Sequence, residues 1–157
     1  MLTSEISPTD RLVLDTHVWV WASGEAGGLS QVNTAALPAI EEAARSRRLF
    51  VCAASAWEIA LKAERGQAII SGDLHTWIRD QQQFPGVRML AIDGRLAIDC
   101  THLPRWMRAR DGQEHRDPND RFIVTAARRL NGLLLTCDEE IIAYARQGHV
   151  RVYDARA

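Results

Sequence analysis

Four carboxylates stand where an apolar run gives way to polar residues or where a helical stripe begins. Asp15 follows Leu12-Val13-Leu14, Glu58 follows Leu49–Ala53, Asp120 leads the Phe122–Leu130 stripe, and Asp138 follows Leu133–Thr136. Taken singly, each acid reads as a helix cap or dipole partner, worth about 0.5–2 kcal/mol. Ser55-Ala56-Trp57-Glu58 has the form of a capping box, and Glu139 fits one as well. Taken together, the acids read differently. Parallel strands joined by right-handed crossovers place every helix start on one edge of the sheet, so the four would meet at one mouth. Carboxylates crowded together raise one another's pKa, and the crowding is tolerable only around a cation. An all-oxygen set suits Mg²⁺ or Mn²⁺ rather than Zn²⁺. Such an ion activates water and clamps a phosphate.

The segment His115-Arg116-Asp117-Pro118-Asn119-Asp120-Arg121 adds candidates. Asp117 reads either as a further ligand or as a turn starter before proline, and it ranks below Asp120, which leads the helix. His17 and His115 read as surface or packing histidines, and Cys137, with no histidine partner, makes a poor nucleophile.

The elements that must carry these side chains follow from periodicity. Leu12–Leu14, Leu49–Ala53, Val87–Ile92 and Leu133–Thr136 are short apolar runs, the mark of strands buried on both faces, and Val150–Tyr153 fits an edge strand. Between them, helical spacing covers Val18–Ala22, Leu37–Ala44, Trp57–Leu61, Leu74–Ile78, Leu96–Cys100, Phe122–Leu130 and Ile141–Ala145, with a further short helix expected over Leu103–Arg110. Ser23–Ser30 and Arg110–Asn119 read as loops. Strand and helix alternate, so the fold class is α/β: a three-layer α/β/α sandwich with a central, mostly parallel sheet of four to five strands. Residues 1–10 are polar, without the pattern of a signal peptide, and are expected to form a tail before a single domain of residues 11–157.

Composition limits the function. The 157 residues suit one domain. A net charge of −1 argues against a broadly basic nucleic-acid binder, though not against a local basic patch. Of the 19 Lys and Arg residues, Lys62 is the sole lysine. The three cysteines form no paired motif, which fits a reducing cytoplasm. No apolar run reaches the roughly 18 residues of a membrane span.

Leu14-Asp15-Thr16-His17-Val18-Trp19, Ser55-Ala56-Trp57-Glu58-Ile59, the 115–121 segment and Leu135-Thr136-Cys137-Asp138, in that order, resemble a PIN-domain protein of the bacterial VapC-type toxin branch. The resemblance spans about residues 11 to 153. It implies a Mg²⁺- or Mn²⁺-dependent endoribonuclease of a type II toxin–antitoxin system, with tRNA, rRNA or mRNA as target. It also implies a cognate antitoxin and a homodimer. Asp15, Glu58, Asp120 and Asp138 match the family's acidic quartet, and Thr136 matches a position that supports the site through its hydroxyl. Arg116 and Arg121, with Arg105, Arg108 and Arg110, read either as a phosphate track or as a solvated charged loop.

Rival enzymes fit less well. A haloacid-dehalogenase phosphatase needs a second Asp where His17 stands, and a receiver domain needs a late lysine where Lys62 is the sole candidate. A flap-type nuclease needs arch segments for which 157 residues leave no room. The competing reading from another class is a non-catalytic module that binds an antitoxin or RNA and uses its acids only as caps. The complete quartet speaks against it.

Overall fold

The structure, a computed structural model, describes residues 4–157. The chain runs β1 (Leu12–Leu14), α1 (Thr16–Ala22), α2 (Ala36–Arg45), β2 (Leu49–Cys52), α3 (Ala53–Glu64), α4 (Leu74–Gln81) and β3 (Arg88–Leu90). It continues through α5 (Gly94–Thr101), α6 (Pro118–Arg129), β4 (Leu133–Thr136), α7 (Glu139–Arg146) and β5 (Val152–Asp154). The five strands form one sheet in the order β3-β2-β1-β4-β5, and every pairing is parallel.

The central strands β1, β2 and β4 are apolar up to the terminal Thr136 and wholly buried, because helices cover both faces of the sheet, whereas the edge strands β3 and β5 carry Arg88 and Asp154. Leu12, Leu14, Leu49, Val51, Leu133 and Leu135 point into the core beneath α1, α2 and α4. Val13, Phe50, Cys52 and Leu134 alternate to the other side, against α5, α6 and α7. Register is held tightly, since a slip of one residue would exchange the two cores. β1 pairs with both β2 and β4, so its carboxyl end lies at the centre of the sheet's edge. Where α6 meets β4 the chain turns closely past Arg11: a side chain at Gly132 would bring its Cβ within 3.0 Å of the Arg11 carbonyl oxygen.

Four local expectations are corrected. Leu103–Arg110 is not helical. Pro104 lacks an N–H, and Trp106 is drawn into the core, stacked on Tyr144 at 4.2 Å, while Met107 and Glu114 pair as an isolated antiparallel bridge. The burial of one indole outweighs the local propensity. Secondly, Ser23–Ser30 is not wholly irregular, because a single 3-10 turn covers Gly28–Gln31. Thirdly, α3 starts at Ala53, directly after β2, so Ser55 is a buried residue of the first turn rather than a cap. Finally, the residue capping α7 is Asp138, whose Oδ1 accepts from Glu140 N and Ile141 N, so no capping box ends at Glu139.

Of the expected tail, residues 1–3 lie outside the described residues. Ser4 N donates to Val152 O at 3.0 Å, Ile6 packs against the first core, and Asp10 pairs with Arg151 at 2.8 Å.

Leu134 lies on β4 with no exposed surface. Leu134→Ala is expected to lower stability by about 2–5 kcal/mol through lost burial and a residual cavity. Urea unfolding should show a lower midpoint with an unchanged slope.

Candidate functional site

In an open parallel sheet the crevice lies where neighbouring strands send their following helices to opposite faces. Here that point falls between β1 and β4, which lead into α1 on one face and α7 on the other. Asp15 and Asp138 are the residues that flank it, each as the cap of the helix that follows. Thr136, the last residue of β4, joins them. Its hydroxyl donates to Asp15 Oδ2 at 2.5 Å and accepts from Asp138 N at 3.0 Å. Asp15 Oδ1 accepts from Thr16 N at 2.8 Å. The capping role and a ligand role therefore coexist at Asp15: the fold uses the carboxylate to start α1 and in doing so fixes its direction.

Glu58 forms a second corner, behind this pair. It sits one full turn inside α3, and its Oε2 accepts from Thr16 Oγ1 at 2.7 Å and from Asn119 Nδ2 at 3.3 Å. Thr16 Oγ1 is also 2.9 Å from the buried Ser55 Oγ. Lys62, one helical turn on, lies 3.3 Å from Glu58 Oε1 and 3.4 Å from His17 Nε2. The one lysine of the chain thus neutralises part of the acidic cluster from within.

Asp120 forms the third corner. α6 begins at Pro118, with Asp117 as its cap accepting from Asn119 N at 2.9 Å, so Asp120 is the third helical residue rather than the leader. The proline supplies the fixed φ of a helix start. Asp120 Oδ2 lies 2.8 Å from Nε2 of His115, which is buried and stacked on Trp106 at 4.3 Å.

Desolvation and crowding show in the acidities. Burial pushes Asp120 up to about 9, and the charges of Asp117, Asp15, Asp138 and Glu58 add to the rise. Asp15 is raised to about 6, chiefly by burial, against the lowering effect of the Thr136 and Thr16 hydrogen bonds. Burial also holds the imidazoles of His17 and His115 below the usual histidine value. The Cys137 thiol is pushed up to about 11, mainly by burial and then by Asp15 and Asp138. A thiol so reluctant to ionise is no nucleophile.

The mouth is an open cleft of about 780 Å³. Asp117, Asp120, Asp138 and Glu140 line it together with Arg108, Arg110 and Arg116. Arg108 is braced by Asp111 at 2.7 Å, and Arg116 by Glu114 at 3.0 Å. The Arg108 loop is tied to α7 by Glu140, which accepts from Ala109 N at 2.6 Å and Arg110 N at 3.2 Å. Arg121 is placed elsewhere. Its guanidinium donates to the carbonyls of His115 and Cys100 at 3.2 and 3.3 Å, bracing the chain behind Asp120, and it does not line the cleft. Its position on the helix directs it there, one residue past the acid that faces the mouth.

Of the four acids, Asp120 and Asp138 line the cleft while Asp15 and Glu58 do not, and the charges of Asp15, Asp138 and Glu58 all bear on Asp120. Among the described residues, no three His, Cys, Asp or Glu side chains close into a ready-made metal cage. The donor set nevertheless fits a hard divalent cation: it offers oxygen donors only, and the pKa values of Asp15 and Asp120 are raised, chiefly by burial and then by neighbouring carboxylates. Sequence reasoning missed Asn119, Ser55, Lys62 and His115 as parts of this arrangement. The spacing Glu58 to Lys62, one turn of a helix, was the signal available for the lysine.

The sequence matches the PIN domain family over residues 12–147. No curated protein matches it. Among solved structures, FitAcB from Neisseria gonorrhoeae shares the fold with a TM-score of 0.56 and 17% identity, over 91% of this chain and 96% of that one. FitAB bound to an IR36 DNA fragment is similar at a TM-score of 0.52 and 17% identity, over 90% of this chain and 93% of that one.

The raised pKa values have a sign for stability. An acid that keeps its proton to about 6 or about 9 costs the fold nothing below the usual carboxylate range, takes stability from it as pH rises from that range up to those values, and levels off above them. Asp120→Asn removes the larger part of this penalty. In chelator, the variant is expected to melt several degrees above the wild type near pH 8 and to gain much less near pH 5. Equal gains at both pH values would show that Asp120 is not held away from its ionised form.

Proposed function

The chain belongs to the PIN-domain family, and we propose that within it this protein is a divalent-metal-dependent endoribonuclease, the toxin of a type II toxin–antitoxin pair. The observation that carries the reading is Asp15 and Asp138 flanking the β1–β4 crevice, tied through Thr136, with Glu58 behind and Asp120 at the rim. Bland capping accounts for Asp15, Asp117 and Asp138, whereas Asp120 caps nothing: it is a half-buried acid of the first turn of α6, set among like charges. An uncompensated arrangement of this kind is unfavourable for a fold that gains nothing from it.

In this reading Asp15, Asp120 and Asp138 would hold Mg²⁺ or Mn²⁺, with Glu58 directly or through water, and the ion would supply a Lewis acid for water activation and phosphate charge. The protein's own groups do the positioning. Thr136 fixes Asp15 by its hydroxyl, and Thr16 and Asn119 hold Glu58. Arg108, Arg110 and Arg116 line the same cleft, and their guanidinium groups suit the phosphates of an RNA strand. Asp117 orients Asn119 by capping α6. Cleavage is hydrolysis of a phosphodiester bond in tRNA, rRNA or mRNA.

A cognate antitoxin covering the cleft, a homodimeric state and a cytoplasmic setting complete the proposal. They rest on the VapC-like motifs at Asp15–Trp19 and Ser55–Ile59. Among the described residues, no helix is long and apolar enough to cross a membrane.

The test uses the full chain with Mn²⁺ or Mg²⁺ and an RNA mixture. Asp15→Asn is expected to lower metal-dependent cleavage on the order of 100-fold or more, a range typical for loss of a charge-stabilising group. Its circular dichroism and melting should stay close to wild type, because Asn can still cap α1. Cleavage unchanged by the substitution removes this site from the chemistry. Calorimetric titration with Mn²⁺ supplies a second readout, and a wild type that takes up no Mn²⁺ is a binding module instead.

A further inference from the structure

His115 is an expensive residue for its place. It is 6% exposed and stacked on Trp106, which stacks in turn on Tyr144, itself anchored by its hydroxyl to Pro104 O at 2.5 Å. A phenylalanine would fill the same stack. The imidazole instead brings two buried nitrogens, and Nδ1 has no partner among the described residues. Leaving a buried polar atom without a partner is unfavourable, because it loses its bonds to water and gains none in return. The ring's one side-chain hydrogen bond runs from Nε2 to Asp120 Oδ2, at 2.8 Å. Packing alone therefore does not explain a histidine here, whereas its bond to Asp120 does.

The ring is held from three directions. Its plane is set by Trp106, its backbone N donates to Trp106 O at 2.8 Å, and its carbonyl accepts from Arg121 at 3.2 Å. Asp120, on the first turn of α6, otherwise makes no hydrogen bond through its carboxylate among the described residues. A free carboxylate on a helix can rotate about two side-chain bonds, so an aspartate with one oxygen tied down is fixed in direction while the other oxygen stays available.

We infer that His115 is a positioning residue: its Nε2 fixes one oxygen of Asp120 and leaves the other facing the crevice to hold the divalent cation. The inference rests on the nuclease reading above and adds to it a residue outside the acidic quartet. With Asp120 ionised, Nε2 carries the proton and donates it in the hydrogen bond. Outer groups of this kind orient a ligand before the ion arrives, and removing them typically weakens metal binding by about 10–100-fold. Arg121 thereby acquires a role too. Instead of meeting substrate, its guanidinium holds the backbone from which His115 projects.

Two substitutions separate the hydrogen bond from the stack. His115→Phe keeps an aromatic ring against Trp106 and removes the donor. His115→Gln keeps an amide N–H close to the place of Nε2 and gives up the ring. Mn²⁺ affinity of the full chain is measured by calorimetry, without RNA, alongside melting temperature. The Phe variant is expected to stay folded and to bind Mn²⁺ about 10-fold or more weakly, and the Gln variant to recover to within about threefold of wild type. A Phe variant that binds like wild type, or a Gln variant no better than Phe, overturns the positioning role while leaving the nuclease reading intact. A wild type that takes up no Mn²⁺ overturns both. In steady-state RNA cleavage the Phe variant should lose kcat with KM little changed, because the arginines that line the cleft are untouched. A rise in KM alone would count against the inference.

Discussion

Negative charge gathered in a place where water is scarce is the constraint on which the arrangement depends. Asp15 and Asp120 are raised in pKa chiefly because burial strips their solvation, and the neighbouring carboxylates deepen the effect. The fold offsets this with neutral donors and one internal cation. Thr136 and Thr16 serve Asp15, Thr16 and Asn119 serve Glu58, and Lys62 lies against Glu58. Asp120 has His115 alone as a side-chain partner among the described residues, and its pKa is raised further than that of Asp15. A site this unbalanced is stable only because the frame beneath it is rigid. β1, β2 and β4 are buried along their whole length, so the crevice between β1 and β4 cannot widen to let the acids drift apart.

The same frame explains how charge of both signs shares a chain with a net charge of −1. The acids come from strand ends and helix starts, which the parallel topology collects on one edge. The arginines that line the cleft come from the long connection between α5 and α6. That connection is disciplined by burial at both ends: Trp106 and His115 are packed together, and the stretch between them is bridged at Met107 and Glu114 and tied to Glu140. A loop anchored in this way can present guanidinium groups without the ordering cost that a floppy arm would incur on meeting a strand of RNA.

Much of the fold was legible because its signals are local. Short apolar runs such as Leu133–Leu135 can only be strands covered on both sides, and the alternation of strand and helix then requires parallel pairing. Boundaries and caps were less legible. Ser55 and Glu58 have the pattern of a capping box, yet α3 starts two residues earlier because β2 runs into it without a connecting loop. The 103–110 stretch has helical spacing, yet the pull of the Trp106 side chain toward Tyr144 decides its path. No reading confined to neighbours along the chain registers a stacking partner 38 positions away.

What the sequence determined alone is the set of parts: four buried runs and an edge strand, the helical stripes between them with one too many over Leu103–Arg110, and acids at the junctions where ligands gather in such sheets. Type and spacing suffice for this because burial periodicity and strand-end placement are properties of short segments. Only the tertiary structure decided how each acid is partnered. It joined Asp15 to Asp138 through Thr136 and turned Arg121 inward as a brace. It also set Lys62 against Glu58 and gave Asp120 a buried histidine. Hydrogen bonds and desolvation depend on distances between segments remote in the chain, and those distances exist only after the two cores have closed on the sheet.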